Sequence, residues 1–150
     1  MRMIDIRLAT SQDETQVFRL FSRLDSRQRT GEWVVNQATG VSVFHKILGD
    51  PELGVIIVAV KGDRVLGVIS LSYPVAIRCS GKYARLEEYI VDEDARGKGI
   101  GTGLLEAAID AASSAGCYDL QVNNPSVLGK AVYSKIGFNE GGEYWSKKLS

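Results

Sequence analysis

The sequence predicts a mixed-sheet fold of the α/β class, α+β in arrangement, with helices packed on a central sheet. Two apolar, β-branched runs joined by "KGD" at residues 54–73 have the pattern of an antiparallel hairpin buried on both faces. A strand, a helix and a second strand follow across residues 83–123, a βαβ crossover that requires parallel pairing. No repeat, low-complexity tract or linker divides the 150 residues, so one domain over 1–150 is expected.

In order, "MIDIRLA" alternates as a first strand. In "SQDETQVFRLFSRLDS", Ser11 caps a helix with Glu14 in capping-box position, and Val17, Leu20, Phe21 and Leu24 share one face. Residues 30–53 are the least legible, though "VSVFHKILG" reads as a short amphipathic helix closed by Gly49 before Asp50 and Pro51. After the hairpin and a polar loop around "RCSGK", "YARLEEYIV" is a strand. A helix over about 99–115 sets Ile100, Leu104, Leu105, Ala108, Ile109 and Ala112 on a buried stripe, beside a row of small residues at Gly103, Ala107 and Ala111. "CYDLQVN" is a short strand ended by Asn124 and Pro125. A helix over 126–136 stops at Gly137, and "FNEGGEYWSKKL" is expected to form a closing pair of strands around Gly141 and Gly142.

Composition narrows the function. The 18 basic and 18 acidic side chains cancel, so no general field attracts nucleic acid or an anionic membrane. The N-terminus lacks the apolar core of a signal peptide, and no run reaches the length of a membrane span. Cys79 and Cys117 match no zinc or CxxC spacing and read as reduced thiols, which makes the expected location cytoplasmic. His45 is the only histidine, and no G-x-S-x-G elbow accompanies it. Hydrolase triads and histidine-rich metal sites are therefore excluded from the expectation, and no metal is assigned.

The chemistry concentrates in "YIVDEDARGKGIGTGLL". Gly97, Gly99, Gly101 and Gly103 strip side chains from the start of a helix whose first backbone N–H groups have no partner within it. Those donors, the helix dipole, Arg96 and Lys98 together favour a bound anion. A Walker loop fails because Gly99 follows Lys98 where Ser or Thr is required. A dinucleotide G-x-G-x-x-G fails in either register, at Thr102 or at Leu104.

Arg96, Gly99 and Gly101 form an R-x-x-G-x-G run five residues after Val91, and "AVYSKIGF" at 131–138 places a tyrosine on a helix before a Gly-Phe pair. The pair of motifs resembles the two signatures of the GNAT superfamily of N-acetyltransferases, and the order of elements is similar along nearly the whole chain. The resemblance implies a GNAT-like acyl-CoA N-acyltransferase fold that binds acetyl-CoA. It implies that the cofactor pyrophosphate rests on backbone amides of Gly97, Lys98, Gly99, Ile100, Gly101 and Thr102, beside Arg96. The pantetheine arm would pair with the backbone near Ile90 and Val91, where that strand and the next splay apart. Asn123 either hydrogen-bonds that arm or caps the following helix. Edge-strand pairing is common in the superfamily, which allows a homodimer.

The acceptor implied is a small-molecule or peptide amine. An alkylammonium with a pKa of about 10.4 is only about 0.04% neutral at pH 7, a penalty of about 4.6 kcal/mol, so a base is needed. The candidates are Glu87 and Glu88; adjacent strand residues face opposite sides, so one of them points into the site, and Glu88 is favoured. Tyr133 stands where the superfamily often places the acid for the departing thiolate. No cysteine lies in the glycine run to carry a covalent acetyl, so direct attack in a ternary complex is expected. Trp33, Phe44 and His45 belong to the region that covers the acceptor side, as core or lid. Gly129 stands where relatives commonly carry alanine. The competing reading is a module that binds an acyl-CoA as a sensor without turnover.

Overall fold

The computed structural model describes residues 3–23, 37–123, 125–147 and 149. Its strands are β1 (Asp5–Leu8), β2 (Gly54–Lys61), β3 (Arg64–Ser72), β4 (Val75–Ala76), β5 (Gly81–Lys82), β6 (Ala84–Val91) and β7 (Leu120–Val122). Its helices are α1 (Glu14–Phe21), α2 (Gln37–Leu48), α3 (Ile100–Ser114) and α4 (Val127–Ile136). Five strands form the main sheet in the order β1-β2-β3-β6-β7, antiparallel except for the parallel pair β6 and β7. This is the mixed sheet that the hairpin and the crossover require.

The hairpin runs from Gly54 opposite Ser72 to Lys61 opposite Arg64. Its alternation serves two cores. Ile57, Ala59, Ile69 and Leu71 pack with the α3 side, and Ile56, Val58, Val65 and Val68 with α1 and α2. Both faces are covered by helices, which is why these strands read as nearly continuous apolar runs. The α3 stripe largely behaves as the periodicity demands: Ile100, Leu104, Leu105, Ala108 and Ala112 are buried, while Ile109, also expected in the stripe, is half-buried against the same core. The small-residue row allows close docking, since a Cβ on Gly103 would come within 2.6 Å of Ile6 Cδ1.

A buried carboxylate fixes the loop between β6 and α3. Asp92, 1% exposed, receives Arg19 at 3.1 Å, Arg23 at 3.1 Å and Arg64 at 3.0 Å. Its Oδ1 also accepts the Asp94 N–H at 3.3 Å. Burial alone would raise the pKa of this carboxyl, but the guanidiniums outweigh it and hold the group well below the usual carboxylate range. The arginines come from α1, from the turn after it and from β3. One carboxylate therefore ties three elements to the segment that leads into the glycines.

Several expectations are corrected. The capping box lies one residue earlier than expected, with the Thr10 N–H donating to Asp13 at 2.7 Å. Asp13 is buried and also holds Arg7 at 2.8 Å, so it is the better-fixed acceptor, and residues 11–13 form a 3-10 turn before α1. The helix read at 41–49 begins earlier, at Gln37. The polar loop around Cys79 carries the short β4 and β5 ladder, turned by Ser80 in a left-handed conformation. The strand read at 117–123 narrows to β7. The closing pair of strands is not found among the described residues: 138–147 carry no strand, and 139–147 are exposed, the large rings of Tyr144 and Trp145 included. Leu24, the remainder of the first expected helix, Trp33 and Asn124 lie outside the described residues.

Replacing Asp92 with Asn leaves three guanidiniums without their shared charge, and equilibrium urea unfolding is expected to show a loss of about 2–4 kcal/mol. The lowered carboxyl pKa also sets a direction with pH. Its stabilisation is complete above the unfolded value of about 3.9 and declines as acid drives the pH below it, a decline that Asp92→Asn removes.

Candidate active site

The site begins where β6 leaves its parallel partner. β7 pairs with Ala84, Arg85 and Leu86 and no further, so from Glu87 to Val91 that side of β6 has no strand partner among the described residues. On its other side β6 stays on β3, but with a shift: Leu86 opposes Leu71 and Glu88 opposes Ser70, which leaves Glu87 as an extra residue in a bulge.

The bulge reassigns the faces. Leu86 belongs to the core on the α3 side, and so do Tyr89 and Val91, while Ile90 packs on the α1 and α2 side. In an unbroken strand Glu88 would share a face with Leu86. Instead it lines a pocket of about 220 Å³ with Phe18, Phe44, Ile56 and Ser70. Ser70 Oγ donates to the Glu88 carboxylate at 2.9 Å and accepts the Glu88 N–H at 3.1 Å. Glu87 is exposed, and its carboxylate accepts Ser72 Oγ at 2.6 Å. Of the two glutamates, Glu88 is the one that reaches the pocket.

At the open end of the gap stands the start of α3. Gly97 and Gly99 have φ of +80° and +79°, left-handed values that disfavour any side chain, and the space where a Cβ would sit is open at both. Gly99 is the N-cap and no side chain caps it; the first helical bond runs from Gly103 N–H to the Gly99 carbonyl. The amides of Ile100, Gly101 and Thr102 thus precede the first intrahelical acceptor. Arg96 and Lys98 are exposed beside them.

Tyr133 lies on the α3 side of the sheet, 9% exposed, with its ring 6.5 Å from that of Tyr89 and 5.4 Å from that of Phe138. Gly129 has a reason to be glycine: a Cβ there would stand 3.2 Å from Tyr133 Cε2 and 3.1 Å from Ser126 Oγ. Ser126 caps α4 by accepting the Gly129 N–H at 3.0 Å, so the capping role considered for Asn123 belongs to Ser126. Asn123 follows β7, half-buried. Phe44 is core, in edge contact with Phe18, and half-exposed His45 meets Glu14 at 2.5 Å, joining α2 to α1.

Three contributors escaped the sequence reading. Ser70 holds Glu88, and its signal was a hydroxyl at an inward position of an apolar strand. Tyr89 donates its hydroxyl to the Gly101 carbonyl, and burial followed by the neighbouring Tyr133 pushes its pKa up to about 12, so it stays a neutral donor. Asp92 and its arginines left no local signal, because Arg19 and Asp92 are separated by 73 residues. Among the described residues no group of three His, Cys, Asp or Glu is placed to hold a metal, and no helix is long and apolar enough to cross a membrane.

The comparisons with known proteins agree with this architecture. A rice protein described as a probable glucosamine 6-phosphate N-acetyltransferase is 36% identical over 66 residues, which is 44% of this chain and 39% of that relative. The chain therefore matches about two-fifths of that relative's length. Over the whole fold, the crystal structure of glucosamine-6-phosphate N-acetyltransferase from Arabidopsis thaliana superposes with a TM-score of 0.80 at 24% identity, covering 99% of both chains. A predicted acetyltransferase with acetyl-CoA from Clostridium acetobutylicum superposes with a TM-score of 0.80 at 20% identity, covering 98% of this chain and 97% of the other. The family model for the acetyltransferase (GNAT) family matches residues 15–138, which take in both glutamates, the glycine run and Tyr133, and the chain belongs to that family.

Proposed function

We propose that the protein is an N-acetyltransferase that moves acetyl from acetyl-CoA to a primary amine by direct attack in a ternary complex. The observation that carries this reading is the uncapped, glycine-lined start of α3 at the open end of the β6 and β7 gap. The donor set fits the cofactor. A diphosphate takes several hydrogen bonds from fixed N–H groups, and the amides of 97–102 are bare, with open space beside Gly97 and Gly99. Arg96 and Lys98 add charge from the rim. The amide-bearing pantetheine arm needs strand-like partners, and the backbone near Ile90 and Val91 lies on the edge that β7 does not cover. Asn123 stands at the opposite lip as a further partner for the arm. Acetyl-CoA supplies the acetyl group as a thioester whose thiolate, with a pKa near 8.5 if cysteine is a guide, is a tolerable leaving group.

Glu88 is the proposed base: it takes the proton that an alkylammonium must lose before its nitrogen can attack. Ser70 holds the carboxylate through side chain and backbone together, so its orientation is set by the sheet. Tyr133 holds a proton at Oη for the departing sulfur from the other side of the gap. Tyr89 positions the pair of rings by anchoring to the Gly101 carbonyl. Glu87, engaged with Ser72 in solvent, has no part in the chemistry. Free thiols at Cys79 and Cys117 support a reducing, cytoplasmic setting.

Thiol release from acetyl-CoA in the presence of primary amines tests the reading, and its absence with every amine would return the chain to the sensor alternative. Glu88→Gln is expected to lower kcat/KM by about 10²–10³-fold near pH 7. That deficit should shrink as the pH rises, because a growing share of the amine is then neutral without help. Tyr133→Phe is expected to lower kcat about 10²-fold while the acetyl-CoA Kd, measured by calorimetry, stays within a few-fold. Unchanged turnover in that variant would assign Tyr133 to packing.

A further inference from the structure

Residues 96–99 carry the chain from the Asp92 loop into α3, and all of them are exposed. Each end of that arch is fixed by burial. At the far end Ile100 opens α3 at 3% exposure. At the near end Ala95, also 3% exposed, packs into the core on the α3 side. Between these anchors stand the left-handed Gly97 and Gly99, with no side chain capping the helix. The direction in which the bare amides point therefore depends on where the two anchors stand.

The near anchor hangs on one residue. The Asp92 N–H donates to the Leu66 carbonyl of β3 at 2.7 Å, and the Asp92 carbonyl accepts the Ala95 N–H at 2.9 Å. Its carboxylate accepts the Asp94 N–H and so caps the 3-10 turn Glu93–Ala95. Arg19, Arg23 and Arg64 converge on the same carboxylate, and two of them have a second hold. Arg19 also donates to the Val65 carbonyl at 3.2 Å, and Arg64 reaches Asp94 at 3.4 Å.

We propose that Asp92, gripped by Arg19, Arg23 and Arg64, is a positioning residue for the diphosphate seat. The cluster holds the near end of 96–99 in place before acetyl-CoA arrives, so binding does not bear the full cost of ordering the arch. A buried ion cluster adds little net stability, because desolvation offsets most of the attraction; what it supplies here is one fixed arrangement of the elements it joins. The inference rests on the acetyl-CoA reading above, and the residues act through the loop rather than on the reacting atoms.

Asp92→Asn weakens the whole domain, so Arg64 is the cleaner probe: 51% of its side chain is exposed, and its loss leaves Asp92 with Arg19 and Arg23. In ligand-free Arg64→Gln, hydrogen exchange at the Asp92 and Ala95 amides is expected to be at least about tenfold faster, with the amides of Ala108 and Ala112 in α3 unchanged. Calorimetry is expected to show an acetyl-CoA Kd about tenfold weaker. Arg64 meets both carboxylates through Nη2 alone, so a lysine ammonium can replace it, and Arg64→Lys is expected to bring both readouts within about threefold of the unaltered protein. Faster exchange that extends equally to Ala108 and Ala112 assigns the cluster to global stability and overturns the inference. Unchanged exchange at Ala95, an unchanged Kd, or no recovery in Arg64→Lys does the same and leaves the cofactor reading standing. Failure of the unaltered protein to bind acetyl-CoA overturns both.

Discussion

The placement of Glu87 as one residue too many in β6 is the constraint on which the site depends. A strand has a period of two, so a single extra residue exchanges the faces of everything beyond it. Upstream, Ala84 and Leu86 are buried on the α3 side and β7 pairs alongside. Downstream, Tyr89 and Val91 take over that face, Glu88 turns to the α1 and α2 side, and β7 is no longer a partner. Loss of the ladder and rotation of the glutamate are one event. The same irregularity thus opens an edge that β7 leaves unpaired and aims a carboxylate into the pocket on one side of that edge.

For the proposed cofactor, such an edge is useful only if the glycine-lined start of α3 stands at a fixed distance from it. The spacing is held from two directions. Through α3, the buried stripe and the contact of Gly103 with Ile6 set the helix close on the sheet, which leaves its first turn little freedom. Through the loop, Asp92 is gripped by arginines from α1, on the other face, and from β3 in the sheet itself. The grip also serves electrostatics. An unpaired carboxylate so near the glycines would oppose the proposed diphosphate, and the three guanidiniums around it, one of them shared with Asp94, offset that charge. The family's glycine run is in this sense only the visible half of the device.

What the sequence disclosed follows the range of each interaction. The α3 stripe, the hairpin and the Gly137 stop are periodic or local, and each formed where its residues indicated. The pair Glu87 and Glu88 was legible as a pair, but the opposite faces expected of neighbouring strand residues are not kept at the bulge: Glu87 meets Ser72 and Glu88 meets Ser70, two residues on one side of β3, a register that β3 sets. Asp13 displaced Glu14 in the capping box because Arg7, on another element, had already fixed it. Residues 138–147 offered alternation enough for strands, yet an edge partner and an apolar face are supplied by tertiary structure, and neither is there. The reason for Gly129 was likewise out of sight until the ring of Tyr133 was placed over it.

The proposed acid and base stand on opposite faces of the sheet with the gap between them, and their surroundings suit unequal tasks. A thiolate leaves tolerably well unaided, so Tyr133 needs little more than to be near, and packing between Tyr89 and Phe138 provides that. The amine is different, since its proton costs about 4.6 kcal/mol to remove at neutral pH. Under the proposed chemistry an aromatic wall assists there. Passing a proton from an ammonium to a carboxylate converts two charges into two neutral partners, and a low-polarity lining favours the neutral pair. Under the proposed chemistry, the apolar wall of Phe18, Phe21 and Phe44 therefore helps to make the nitrogen a nucleophile.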